Sequence, residues 1–141
     1  MQPHESWALI LGASSGFGAA VSRELARSGF HIAGVHLDRR ATLPNVEQVV
    51  KDIQQAGRKA QFFNVNAADP LKRSEVLDRL QAAFKTSNPP GHVAVILHSL
   101  AFGTLRPYIT QEAKDALTKD QMEMTLDVMA NDLGGNAKTL Y

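Results

Sequence analysis

The sequence predicts an α/β protein, a doubly wound parallel sheet forming a single domain over residues 1–141, and three observations carry that prediction. Short apolar runs of strand length alternate with longer stretches of helical period. A glycine-rich turn joins the first run to the first helix. The 141 residues, 44% of them hydrophobic, are enough for one core and cap the chain at one domain. Strands that alternate with helices pair in parallel through right-handed crossovers, which covers the sheet on both faces.

The four apolar runs, residues 7–11, 32–35, 60–65 and 93–97, read as strands buried on both faces. After the glycine-rich turn, Phe17, Val21 and Leu25 recur every four residues and mark the apolar stripe of a first helix. Val46, Val49, Val50 and Ile53 mark a second helix, and Leu77, Leu80 and Phe84 a third. Gly29 and Gly57 follow the first two helices, Pro44 and Asn45 precede the second, and Asp69-Pro70 reads as an N-cap with Pro at the first helical position. The run 87–91, Ser-Asn-Pro-Pro-Gly, ends the third helix. Met122, Leu126, Met129 and Leu133 predict a fourth. In a sheet of this kind a ligand binds beyond the carboxyl ends of the strands, so the loops after Leu11, Val35, Val65 and Leu97 should carry the function.

Composition narrows the chemistry. Fifteen Lys and Arg against fourteen Asp and Glu leave a net charge of +1, without the basic excess that nucleic-acid or anionic-membrane binding needs. Cysteine is absent, which excludes a disulfide scaffold, a thiolate metal site and a Cys nucleophile and fits a reducing cytoplasm. No apolar run approaches the roughly 18 residues of a membrane span. The expectation is a cytoplasmic protein with no bound metal, nucleic acid or membrane partner.

Directly after the first strand stands Leu11-Gly12-Ala13-Ser14-Ser15-Gly16-Phe17-Gly18, where a phosphate loop belongs. Gly12 lets the chain turn out of the strand, Gly16 lets backbone approach a pyrophosphate, and Gly18 lets helix pack on sheet. The helix N-terminus then offers N–H groups and partial positive charge, and Ser14 and Ser15 add hydroxyls. The spacing G-x-x-x-G-x-G is not a Walker A loop, since no Lys follows the last Gly. It resembles the short-chain dehydrogenase/reductase family, whose signature is T-G-x-x-x-G-x-G, with Leu11 in place of the Thr. The resemblance runs from about Glu5 to Leu133. It implies a partial Rossmann-type sheet of order 3-2-1-4, a nicotinamide cofactor, and cofactor contacts from Gly12, Ser14, Ser15, Gly16, Phe17 and Gly18.

Further landmarks follow the same resemblance. After the second strand comes His36-Leu37-Asp38-Arg39-Arg40. Asp38 lies 20 residues after Gly18, near the generic spacing of a ribose-binding acid. By the family's count the ribose-reading slot falls on His36, and Arg39 and Arg40 could pair with a 2′-phosphate, so NADP(H) is favoured over NAD(H). Asn64 and Val65 match the family's adenine-binding pair. His98-Ser99-Leu100-Ala101 replaces the usual N-N-A-G and is similar to the enoyl-acyl-carrier-protein reductase branch, which reduces enoyl thioesters; His98, Ser99 and Leu100 are then cofactor lining. Asn131 matches the helix Asn that holds a water in the family's proton relay.

The family's Tyr and Lys are missing from these landmarks. Tyr141 is the last residue, and Tyr108 has Lys114 six positions on, a spacing that suits neither Y-x-x-x-K nor the wider enoyl reductase gap. Past Leu133 a Gly134-Gly135 pair interrupts helix propensity. The reading is therefore the cofactor-binding half of an enoyl-reductase-like enzyme with an acyl-thioester or other small-molecule substrate, cut short before its catalytic pair and slow or inactive by itself. Its fourth strand is expected to be an uncovered edge, open to aggregation or pairing. Family tetramers form through a fourth and a fifth helix, which implies a homo-oligomer although only the first of these is in the chain. A ketoreductase or hydroxysteroid-type dehydrogenase of the same family, and a non-catalytic nucleotide-binding protein, share the same landmarks.

Overall fold

The structure is a computed structural model that describes residues 5–101 and 105–131. The first strand, β1 (Ser6–Leu11), leads through the glycine turn into α1 (Gly16–Arg27). Then follow β2 (His31–His36), α2 (Leu43–Gln55), β3 (Ala60–Asn64), α3 (Pro70–Lys85) and β4 (His92–His98). A short 3-10 turn, Ala113–Asp115, precedes α4 (Lys119–Leu126), which widens into a π-helical turn over Asp127–Asn131.

The four strands are parallel in the order β3-β2-β1-β4, as predicted. Side chains alternate across each strand, so two cores form on opposite faces. Trp7, Leu9, Leu11, Ala33, Val35 and Phe63 pack with Val76 and Leu80 of α3. Ala8, Ile10 and Ile32 pack with Ala19 and Ala26 of α1 and Val49 and Ile53 of α2. An ion pair at 2.6 Å between Arg23 and Asp52 ties α1 to α2.

The expectation of four strands buried on both faces holds for β1 and β2 alone. β3 and β4 are the outer strands of the sheet, so most of their residues are half-buried and His92, Ala94 and Asn64 are exposed. β3 also ends one residue earlier than predicted, at Asn64, with Val65 already in the loop. The inner face of α1 differs too. Gly18, Ala19, Ser22 and Ala26 face inward, Val21 and Leu25 flank them, and Phe17 is 84% exposed. Small residues win because the helix is drawn too close to the glycine turn for larger ones.

Thr42 is the N-cap residue of α2, so Pro44 and Asn45 lie within its first turn rather than before it. The missing N–H of a proline does no harm there. Asp69 caps α3 as predicted, its carboxylate accepting from the N–H groups of Leu71 at 2.9 Å and Lys72 at 3.2 Å. α4 opens with a reciprocal box between Thr118 and Gln121. Of its predicted stripe, Met122 is half-buried, Leu126 and Met129 are exposed, and Leu133 lies outside the described residues, as do Gly134, Gly135 and Tyr141. Among the described residues no helix is long and apolar enough to cross a membrane.

Candidate functional site

Parallel pairing brings every strand's carboxyl end to one edge. Leu11 stands beside Val35 and His98, and His36 beside Asn64, so the loops that follow meet in a row. Gly12 and Ala13 donate their N–H groups to the Val35 carbonyl at 2.8 and 3.1 Å, and Ser99 donates its own to the Leu11 carbonyl at 2.8 Å. These bonds anchor the glycine turn between its two neighbours.

Two glycines in that turn are obligatory on steric grounds. A methyl carbon on Gly12, whose φ is +89°, would stand 2.2 Å from the Ser99 carbonyl oxygen. One on Gly18 would stand 1.9 Å from the Gly12 carbonyl oxygen. Ser99 and Leu100 are thereby pressed against Gly12. Ser15 occupies the N-cap of α1 in an extended conformation, but its side chain makes no capping bond. The first-turn N–H groups therefore lack the side-chain acceptor a helix usually has, and Ser15, Gly16 and Phe17 are exposed around them. This cradle fits the pyrophosphate of a dinucleotide, an anion that would supply the missing acceptors.

Beside it lies a polar cluster at the end of β2. His36 Nδ1 is 2.9 Å from Asp38 Oδ2, with side-chain exposures of 4% and 12%. The Asp38 backbone is clamped at both ends by one side chain: Asn64 Oδ1 accepts from its N–H at 2.9 Å and Asn64 Nδ2 donates to its carbonyl at 3.0 Å. Partial burial pushes the Asp38 carboxyl up, but bonding to the hydroxyls of Ser14 and Thr42 and to the His36 ring outweighs it and holds the group below its ordinary value. Thr42 has a single hydroxyl proton, which its 3.0 Å bond to the Arg39 carbonyl already engages, so His36 at 2.9 Å is the steadier donor. Burial pulls the His36 imidazole below its usual value against the opposing pull of Asp38. The imidazole is thus neutral near pH 7, with Nδ1–H donating.

The predicted residues fall into three groups. Gly12, Ser14, Ser15, Gly16, Phe17 and Gly18 form the cradle, with Ser99 and Leu100 against it. Asn64 clamps the β2 turn, Val65 donates to the His36 carbonyl at 2.8 Å, and Arg39 and Arg40 extend into solvent just past Asp38. His98 and Asn131 each have a contact at the π-helical turn after α4. His98 Nε2 lies 3.3 Å from the Val128 carbonyl, and Asn131 donates to Asp127 at 2.7 Å within its own helical turn. Tyr108 is exposed in the irregular stretch before α4. Among the described residues no group of three or more His, Asp or Glu is arranged to hold a metal ion. The clamp of Asn64 on the Asp38 backbone is the part of the site that sequence reasoning missed, because it joins two loops whose separation along the chain gives no periodic signal.

The short chain dehydrogenase family profile matches residues 6–131. The chain belongs to that family. It is a family of NAD(P)-dependent oxidoreductases, so the short-chain dehydrogenase fold explains both the sheet order and the cradle. The 3-oxoacyl-[acyl-carrier-protein] reductase FabG of Escherichia coli is 30% identical over 119 residues, which cover 84% of this chain and 43% of that enzyme. The short-chain dehydrogenase/reductase homolog YusS of Bacillus subtilis is 33% identical over 113 residues, covering 80% of this chain and 93% of YusS. Among solved structures, a blue fluorescent protein from a metagenomic library, in complex with NADPH, superposes with a TM-score of 0.78 at 21% identity over 99% of this chain and 51% of its own. The chain spans about two fifths of the length of the larger curated relatives it matches.

Proposed function

We propose that this short-chain dehydrogenase chain is the cofactor-binding half of an NADP(H)-dependent reductase of acyl thioesters, with residues 1–141 as one nucleotide-binding domain. The observation that carries the reading is the cradle, in which Gly12 is pinned between Ser99 and Gly18 while the start of α1 is left without a side-chain cap. Cofactor contacts are assigned to Gly12, Ser14, Ser15, Gly16, Phe17 and Gly18 at the pyrophosphate, to Arg39 and Arg40 at a 2′-phosphate, and to Asn64 and Val65 near the adenine. The segment His98, Ser99 and Leu100 lines the nicotinamide side, and Asn131 holds a relay water. A nicotinamide bound there supplies hydride. The chain's own part is to orient it: the α1 N–H groups and serine hydroxyls hold the phosphates, and the packed Ser99–Leu100 backbone closes one wall.

His98-Ser99-Leu100-Ala101 supports an enoyl thioester as substrate. A second reading, reduction of a 3-oxoacyl thioester, is supported by the likeness to FabG. Tyr108 has no Lys at the family's spacing, so it is not assigned as the proton donor for either reduction. A cytoplasmic setting accords with the absence of cysteine, and self-association accords with the exposed β4 edge. Titration with NADPH, followed by its oxidation in the presence of crotonyl and acetoacetyl thioesters, tests the proposal. Saturable NADPH binding without turnover of either thioester is expected. Absence of binding, or rapid turnover by the 141 residues alone, overturns it.

A further inference from the structure

Six side chains of α3 are charged, and four of them are engaged within the chain. Lys72 pairs with Glu75 at 3.1 Å, Arg73 donates to the Ala67 carbonyl at 3.3 Å, and the Arg79 guanidinium lies 5.0 Å from the centroid of the Phe63 ring. Asp78 and Lys85 remain. Both are exposed and, among the described residues, neither has a partner. Seven residues of helix, about 10.5 Å, separate them, too far for a pair within α3 but almost two full turns, so they share one face. That face borders a cleft of about 470 Å³ between α3 and the start of β4, which Asp78, Gln81 and Lys85 line together with Phe84, Gly91 and Val93. Phe84 and Val93 are half-buried, so part of their apolar surface still meets water.

One charge of each sign, a heptad apart on one face, makes this flank of the helix complementary to itself. Two copies laid antiparallel about a two-fold axis bring each carboxylate to the other copy's ammonium, so a single contact is made twice. Laid parallel, they would set like charges against each other, whereas antiparallel packing also places opposed helix dipoles side by side.

We propose that this flank of α3 is where a second copy of the chain docks, helix against antiparallel helix, with Asp78 meeting the partner's Lys85 and Lys85 meeting the partner's Asp78. This rests on the self-association proposed above and places it on α3, beside the β4 edge rather than along it. The partner's helix closes the cleft and withdraws Phe84 and Val93 from water, which is the apolar part of the contact; the ion pairs set its direction and register.

Sedimentation velocity of the 141-residue chain over a range of concentrations at low salt tests this. A concentration-dependent dimer is expected. Asp78→Lys and Lys85→Asp each spoil both ion pairs, because each copy carries the change, and each is expected to weaken the dimer at least about tenfold. The double reversal, Asp78→Lys with Lys85→Asp, restores both pairs and is expected to return the dissociation constant to within about threefold of the original. An equimolar mixture of the two single variants is expected to dimerise as the unaltered chain does, which decides the question even where the double variant does not fold. Equal dimerisation by the single variants and the unaltered chain overturns the α3 interface and leaves self-association through the β4 edge standing. Weakening that neither the double reversal nor the mixture restores overturns the reciprocal pairing. A chain that stays monomeric at every concentration overturns the self-association reading and this inference with it.

Discussion

Replacing Gly18 by alanine tests the geometry on which the cradle depends. The new methyl carbon would lie 1.9 Å from the Gly12 carbonyl oxygen and 2.7 Å from its carbon, and both are backbone atoms that no side-chain rotation can move aside. To reach an ordinary contact, α1 and the turn must part by about 1.5 Å. The helix packs on the sheet through Ala19, Ser22 and Ala26, whose buried contacts would open with it. Overpacking against rigid backbone costs about 3 kcal/mol. With a urea slope of about 2 kcal/mol/M, the unfolding midpoint should fall by about 1.5 M. Trp7, the single tryptophan, is 2% exposed and within 5.5 Å of the Phe84 ring centroid, so its fluorescence reports the transition. Gly16→Ala is the matched control: its φ is +54°, but nothing lies within 4 Å of the added carbon. That change should cost at most about 1 kcal/mol, because the left-handed strain is partly offset by a stiffer unfolded chain. If the two variants unfold at the same urea concentration, the close approach of α1 to the turn is wrong.

Three more outcomes follow from the same structure. Leu80→Ala empties a fully buried position between α3 and the sheet and should lower stability by about 3 kcal/mol, read as a drop of about 10 °C in the thermal midpoint by circular dichroism. Asp69→Ala removes the double acceptor at the start of α3 and should cost about 1 kcal/mol, with Asp69→Asn recovering most of it in the same melts. His36 has a folded value below its usual 6.5, so the unfolded chain takes up a proton that the folded chain refuses; its contribution is complete above about pH 6.5 and is lost as pH falls through the lowered value. Asp38 and Asp52, both held below 3.8, add a second loss as pH falls through their own lowered values. Urea midpoints measured across this range should step down twice, and His36→Asn should flatten the upper step; a single step at acid pH in the unaltered chain would refute the buried neutral imidazole.

Much of the fold was legible because parallel strands buried at the sheet centre are written as unbroken apolar runs, and residues 7–11 and 32–35 have no other use. Less legible were features set by contact between segments. Of the stripe Phe17, Val21 and Leu25, the last two pack against the core while Phe17 faces solvent, and the centre of the α1 contact is filled by small side chains that carry little hydrophobic signal. The start of α2 was displaced because Pro44 looks like a boundary while the helix already begins at Leu43. The capping box of Thr118 and Gln121 was readable from its spacing and was overlooked. In the site, the glycines were legible from their spacing, with Gly12 and Gly16 at positive φ and Gly18 where a Cβ does not fit. The clamp of Asn64 on the Asp38 backbone was not, because β2 and β3 must pair before the two residues are neighbours.

The place of β1 at the centre of the sheet has a consequence for how the molecule is made. β1 is translated before both of its partners, yet one of them, β4, begins at His92, which pairs with Ser6 across 86 positions of sequence. During synthesis β1, β2 and β3 can assemble with α1 and α2 while the other side of β1 stays open. The aromatic contact between Trp7 and Phe84 closes only when α3 has been made, and the Ser99 wall of the cradle arrives later still. The glycine cradle is thus completed late, although its glycines are translated before β2, β3 and β4.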